Sequence, residues 1–183
     1  MDLNLFLGNK TKVDILKYLL YKEDKISARE LESHLDQSFP AIKKQIDNLE
    51  KAGIIRKNKI WNRWQLEIIE KVKPFVESLF IFEIKSNIEK IHYENSSFLT
   101  KYFFVDYFNK NKELPYLWVD LVFIYKEIEN FFLEDVKKQI ASFLDSYFLD
   151  LKISFISEKE YEKRLKFADK FVIKLNKFES FSL

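Results

Sequence analysis

Hydrophobic residues in the first third of the chain recur at helical intervals, and polar or glycine-bearing breaks divide them into three segments. Lys12–Leu20 (KVDILKYLL) sets Val13, Leu16, Tyr18, Leu19 and Leu20 on one broad apolar face, and a polar break at 21–25 follows. Ser27-Ala28-Arg29-Glu30 has capping-box spacing: the serine hydroxyl accepts from the Glu30 backbone N–H while the Glu30 carboxylate reaches back to Ser27. The helix it opens carries Leu31 and Leu35, one turn apart. Beyond a tight turn at Asp36-Gln37, Ser38-Phe39-Pro40 starts a third helix, because the fixed φ of proline suits a first turn. Ile42, Ile46 and Leu49 fall at i, i+4 and i+7 and make one buried stripe, and Gly53 sits where a left-handed helix end is favoured. From Arg56 onward the pattern alternates as in a hairpin, with Asn58-Lys59 as its turn. Ile60, Trp64 and Leu66 fall inward, and Trp61, Arg63 and Gln65 point the other way.

After Glu67 the pattern changes. Lys73-Pro74 interrupts an apolar stretch, so a helix restarts at Pro74 and runs through Phe75, Leu79, Phe80 and Phe82. That many aromatics on one element predict burial around most of its circumference, in the core or in a dimer interface. Lys101–Phe108 (KYFFVDYF) and Leu117–Tyr125 (LWVDLVFIY) are β-branched and aromatic runs, strands joined by the polar loop Asn109–Pro115. Ile128–Phe148 is a helix with Phe131, Phe132, Val136, Ile140, Phe143 and Leu144 inward, and Asp150–Ile156 is a third strand. Ser157–Glu160 is a second capping box, opening a helix through Tyr161 and Leu165, and Asp169 precedes a last helical piece, Phe171–Leu175. The expected fold class is α+β, divided into residues 1–66, a helical linker over 67–100 and a small-sheet domain over 101–183.

Composition narrows the chemistry. At 183 residues, 47% of them hydrophobic, the chain has core enough for one large or two small domains, and disorder is not expected. The absence of cysteine excludes disulfides, thiolate catalysis and cysteine-based zinc sites. The amino terminus lacks the basic and long apolar regions of a secretory signal. No apolar run approaches the ~18 residues of a spanning helix, so a cytoplasmic location without a membrane partner is expected. The net charge of +2 conceals an asymmetry. Between Ser38 and Leu66, Lys43, Lys44, Lys51, Arg56, Lys57, Lys59 and Arg63 face only Asp47 and Glu50, so this segment carries +5 and the remainder −3. Charge concentrated in this way is the footprint of a phosphate-binding face. Glycine occurs only at Gly8 and Gly53, which removes every phosphate-cradling loop from the later two-thirds of the chain. His34 and His92 are isolated, Ser96-Ser97 has no nucleophile-elbow context, and Glu158, Glu160, Glu162 and Asp169 form a solvated acidic face. No metal, cofactor or catalytic residue is expected.

Helix, helix, tight turn, helix, glycine, hairpin is the winged helix-turn-helix order. Three segments resemble the arsenic-repressor-like and MarR-like regulator families: Gly8-Asn9-Lys10-Thr11-Lys12 leading into Ile15-Leu16, then Ser38-Phe39-Pro40-Ala41-Ile42, then Leu49-Glu50-Lys51-Ala52-Gly53-Ile54-Ile55. The likeness covers Asn4–Leu66 and implies double-stranded DNA as the partner. With the third helix's stripe buried, Lys43, Lys44, Gln45, Asp47, Asn48 and Lys51 lie toward solvent. Gln45 and Asn48 suit adenine, Lys43 and Lys44 suit guanine or phosphate, and Ser38 suits a phosphate. Arg56, Lys57, Lys59 and Arg63 of the wing fall to the DNA backbone. Trp64 is assigned to the core, and Trp61 either to a backbone sugar or to the second domain. One recognition helix supplies few base contacts, so a homodimer is expected. A winged helix that binds protein is the alternative, and Asp47 and Glu50 on the third helix weigh toward it.

In the second half, Val119-Asp120-Leu121-Val122-Phe123-Ile124, the segment Leu151–Tyr161 and Phe167–Val172 are similar to minimal nucleotidyltransferase domains found fused behind winged helices. That family implies a glycine-serine turn for the triphosphate and two carboxylates one residue apart for magnesium. Here there is no glycine, and Trp118 occupies the first carboxylate position, leaving Asp120 alone. The expected second domain is therefore a degenerate copy, not an enzyme, kept for dimerisation or for holding a protein partner. A divergent transferase using Asp106 and Asp120 is the catalytic alternative.

Overall fold

Asn9 opens α1 (Lys10–Tyr21) by accepting the Lys12 backbone N–H on its side chain. The computed structural model describes residues 7–22, 25–60, 63–109, 113–126 and 130–182, without the side chains of Ile60, Arg63, Asn130 and Phe131. Expectations placed on Asn4, Trp61, Ile128, Phe131 and the side chain of Arg63 lie outside the described residues. The chain divides into two compact units, Met1–Ser86 and Asn87–Leu183.

In the first unit, α1 buries Val13, Ile15, Leu16, Tyr18 and Leu19. The Ser27–Glu30 capping box forms in both directions and starts α2 (Ala28–His34), which buries Leu31. Thr11 on α1 donates to Gln37 at 3.0 Å and ties the turn before the third helix to the first. α3 (Phe39–Lys51) buries Ile42, Ile46 and Leu49, each at 1% exposure or less, as its 3.6-residue period requires. Gly53, at φ +70°, ends it: its N–H donates to Glu50 O and the Ile54 N–H to Leu49 O, the paired closure that a left-handed residue permits. β1 (Ile55–Ile60) and β2 (Arg63–Ile68) then pair antiparallel, Ile55 opposite Ile68 and Ile60 opposite Arg63. The hairpin is thus longer than its sequence pattern indicates. Asn58 and Lys59 lie inside β1 and not at a turn, because the ladder continues to Ile60.

α4 (Lys73–Glu94) starts one residue before Pro74. It buries Val76, Phe80, Ile84 and Ile88, one helical face, but leaves Phe75 and Phe82 63% and 57% exposed. Burial within the chain thus leaves Phe75 and Phe82, seven residues apart, together on the outer face.

The second unit is built on a four-stranded sheet in the order β5-β4-β3-β6. β3 (Leu99–Phe104) and β4 (Leu121–Tyr125) are antiparallel, and β5 (Ile153–Ser157) runs parallel to β4 after the crossover helix α5 (Asn130–Asp145). α6 (Glu158–Lys166), α7 (Lys170–Leu175) and the edge strand β6 (Ser180–Ser182) complete it. One face of the sheet packs Phe103, Val122, Ile124 and Ile156 with Leu175 and Phe178. On the other, Tyr102 meets His92, Phe123 and Phe181. Along α5 the buried residues are Leu133, Val136, Ile140 and Leu144, whereas Phe132 is 51% exposed, which corrects its inward assignment by one position of helical phase. β4 begins four residues later than its aromatic run suggests. Trp118 has φ +61°, outside any strand geometry, because the Asp106 carboxylate accepts the backbone N–H groups of Leu117 and Trp118 and folds that segment back.

His92 is 3% exposed, and its Nε2 has no hydrogen-bond partner among the described residues. Burial holds its pKa below the ordinary histidine value, against the opposing effects of Glu89 and of a hydrogen bond with the Leu99 backbone. A histidine whose folded-state pKa is depressed contributes stability that is complete above about pH 6.5, the unfolded-state value, and is lost as pH falls through the folded one. The melting temperature should accordingly fall from pH 7 to pH 5 more steeply in the native chain than in His92→Phe. Parallel curves would show that His92 does not set this dependence.

Candidate nucleic-acid interface

α3 presents two faces of different chemistry. Its apolar stripe is buried, and Lys43, Lys44 and Asn48 are exposed on the opposite side, with Lys43 and Lys44 in the N-terminal half. Ser38, the residue before the helix, makes no side-chain capping bond; the Phe39 N–H donates instead to the Glu32 carboxylate at 3.1 Å. The Ser38 hydroxyl is exposed at the start of a helix whose first N–H groups carry partial positive charge. Gln45 departs from its expected place. It is 8% exposed, and its Oε1 accepts from Asn48 Nδ2 at 3.3 Å, because its position falls beside Ile42 and Ile46 on the buried side of the helix.

The hairpin's two faces follow from strand alternation. Ile55, Lys57 and Lys59 share a face with their partners Ile68, Leu66 and Trp64. Ile55 and Leu66 on that face are buried, and the Leu66 N–H donates to Ile26 O at 2.8 Å. Lys57, between them, comes against α3 and donates to Asp47 at 2.7 Å, while its Nζ lies 2.6 Å from Glu50. Partial burial works against the Lys57 ammonium, yet the two carboxylates outweigh it and hold its pKa above the ordinary lysine value. The Asp47 carboxyl is correspondingly held low by its bond to Lys57. On the other face, Arg56 and Asn58 both bond the Glu67 carboxylate. Lys57 and Arg56 are therefore ion-paired within the unit, and Asp47 and Glu50 are the anchor of the wing. Lys59 is exposed, and Arg63 opens β2.

Trp64 is 56% exposed, not core. Its parity with Leu66 is as the sequence indicates, but it stands two residues nearer the hairpin tip. There it forms one wall of a cavity of about 440 Å³ whose other lining includes Phe39, Lys43, Ile46 and Leu66. Sequence reasoning missed this cleft between α3 and the hairpin. The usable signal was the acidic pair Asp47 and Glu50, three residues apart on α3, facing a strand that carries Lys57.

The candidate catalytic carboxylates of the second unit bond backbone. Asp106 accepts from Leu117 N and Trp118 N. Asp120 accepts from Tyr107 N and Lys152 N, both at 2.9 Å, and its own N–H donates to Lys152 O. Among the described residues no group of three metal-ligating side chains forms, and no helix is long and apolar enough to cross a membrane.

No protein-family model matches the sequence, and no curated protein matches it. Among solved structures the chain is similar to a transcriptional regulator homologue from Pyrococcus horikoshii OT3, at 22% identity and a TM-score of 0.41, over 48% of this chain and 88% of that one. It is similar to the transcriptional regulator Tm0710 from Thermotoga maritima at 16% identity and a TM-score of 0.43, over 81% and 85%. A third likeness is to the adhesin competence repressor of Streptococcus pyogenes, at 17% identity and a TM-score of 0.41, over 78% and 88%. These values describe a loose correspondence of chain trace.

The wing anchor is directly measurable. Lys57→Met and Asp47→Asn should each lower the melting temperature by roughly 2–4 °C, the scale of a single ion pair in a domain of this size. The double variant should lose less than the sum of the two. Strict additivity would mean that Lys57 is not held by Asp47.

Proposed function

We propose that the protein is a sequence-specific double-stranded DNA-binding transcriptional regulator whose α3 enters the major groove. The observation that carries this reading is the polarity of α3: an apolar stripe buried against α1 and α2, and two exposed lysines with Asn48 on the opposite face. Lys43 and Lys44 address guanine edges or phosphates, Asn48 an adenine edge, and Ser38 a phosphate. Lys59 and Arg63 of the wing serve the DNA backbone. Gln45 and Lys57 support the surface from within, Gln45 by orienting Asn48 and Lys57 by fixing the wing to α3; Arg56 holds the hairpin through Glu67.

In this reading residues 1–66 are the DNA-binding domain, 67–100 a helical linker, and 101–183 a degenerate nucleotidyltransferase-like domain without catalysis. Its support is chemical. Asp106 and Asp120 spend their carboxylate oxygens on backbone N–H groups, where they hold loops and not a hydrated divalent cation. The second domain serves dimerisation or a protein partner. Two copies would read a pseudo-palindromic site with half-sites about one helical turn apart.

Selection from random-sequence DNA with the intact protein should enrich a palindromic motif that Lys43→Ala/Lys44→Ala no longer enriches. Absence of any motif, together with no salt-sensitive binding to bulk DNA, would overturn the reading and favour a winged helix that binds protein.

A further inference from the structure

The corner between α6 and α7 carries an unusual combination of side chains. Leu165, Phe167 and Ile173 are 47%, 78% and 42% exposed, with Phe167 at the turn itself. From Lys163 to Lys177 the chain has six basic residues, and Asp169 is the sole acid. Arg164 is paired with Glu160 at 2.7 Å, and Asp169 caps α7 by accepting from Phe171 N and Val172 N. Lys166, Lys170, Lys174 and Lys177 are exposed and form no ion pair among the described residues. On α7 and just beyond it, Lys170, Ile173, Lys174 and Lys177 fall at i, i+3, i+4 and i+7, opposite the fully buried Val172 and Leu175.

This corner is held, not frayed. The Phe167 N–H donates to Lys163 O, the Ala168 N–H to Leu165 O and the Asp169 N–H to Arg164 O, all within 3.1 Å. Ala168 adopts φ +53°, a left-handed conformation that alanine occupies only at a cost. The backbone closure thus fixes the turn that carries the exposed Phe167, with exposed lysines on either side of it in the chain. A nucleic-acid phosphate backbone would engage the lysines but offer little apolar surface to the aliphatic Leu165 and Ile173. An anionic lipid surface satisfies both halves of the pattern. Lysine ammonium groups reach the headgroups from flexible stems while the apolar tips enter the boundary with the acyl chains.

We propose that the α6–α7 corner is a docking surface for an anionic lipid bilayer, with Phe167 as its inserted tip and Lys166, Lys170, Lys174 and Lys177 on the headgroups. This is peripheral attachment, needs no spanning helix, and stands independently of the DNA reading. It departs from the expectation of no membrane partner, which rested on the absence of an apolar run long enough to span.

The test is flotation of the full chain with phosphatidylserine–phosphatidylcholine vesicles and with phosphatidylcholine vesicles alone. The native protein should float with the former and not the latter. Each of Lys170→Gln and Lys174→Gln should lower partitioning roughly fivefold, and Phe167→Ser at least about tenfold. These positions are exposed, so unchanged melting temperatures verify the fold, and Lys43→Ala/Lys44→Ala should float like the native chain. The proposal is overturned if anionic vesicles are not bound, or if binding is indifferent to Phe167→Ser. It is equally overturned if the lysine variants weaken binding to non-specific duplex DNA but not to vesicles, which would make the corner a nucleic-acid contact.

Discussion

The ion-paired contact of Lys57 with Asp47 and Glu50 decides what the first unit can present to a partner. Without it, α3 would carry two carboxylates beside its lysines, and the hairpin would lean on α3 through apolar contacts alone. With it, the acids are neutralised from the side, the wing takes a fixed attitude to α3, and Lys43 and Lys44 stay exposed in the helix's N-terminal half, with Lys51 at its end. The pairs are partly exposed, so their individual stabilisation is modest. Their larger effect is on arrangement, because they determine which cations are free.

A similar economy governs the second unit. A carboxylate beside a strand end invites a catalytic interpretation, yet Asp106 and Asp120 each receive two backbone N–H groups, in segments where no regular ladder pairs them. Deleting the Asp106 side chain would orphan the backbone N–H groups of Leu117 and of Trp118, which is in a left-handed conformation, and deleting that of Asp120 would orphan those of Tyr107 and Lys152. Their conspicuous placement is accounted for by loop structure, and the transcriptional reading needs no chemistry from them.

Much of this architecture was legible in sequence, for reasons specific to each element. The capping box at Ser27, the stripe Ile42–Ile46–Leu49 and the glycine stop at Gly53 are local rules whose partners lie within one or two turns, and all three appear in the fold. What failed depended on distance. Trp64 has the parity of a core residue, but its exposure depends on where α3 ends relative to the hairpin tip. Gln45 is polar, so pattern alone puts it outside, whereas its helical angle puts it inside. Phe132 is apolar, so pattern alone puts it inward, although α5 has enough aliphatic residues to fill its inner face without it. β6 escaped notice because Ser180–Phe181–Ser182 is too short to show a period and is recruited by pairing with β3. Of the candidate interface, the lysines of α3 could be read directly. The pairing of Lys57 could not, since it joins positions ten residues apart across an element boundary.

The most direct test of the account is the salt dependence of DNA binding. It should be measured for the native chain, for Lys43→Ala/Lys44→Ala, and for the charge-neutral pair Lys57→Met/Asp47→Asn. If Lys43 and Lys44 meet phosphate while Lys57 serves only the wing, the slope of log affinity against log salt falls by about 0.9 for each α3 lysine removed. The paired replacement leaves that slope unchanged. A slope insensitive to the α3 lysines, or lowered equally by the Lys57 pair, would contradict the assignment of free and anchored charge on which the account rests.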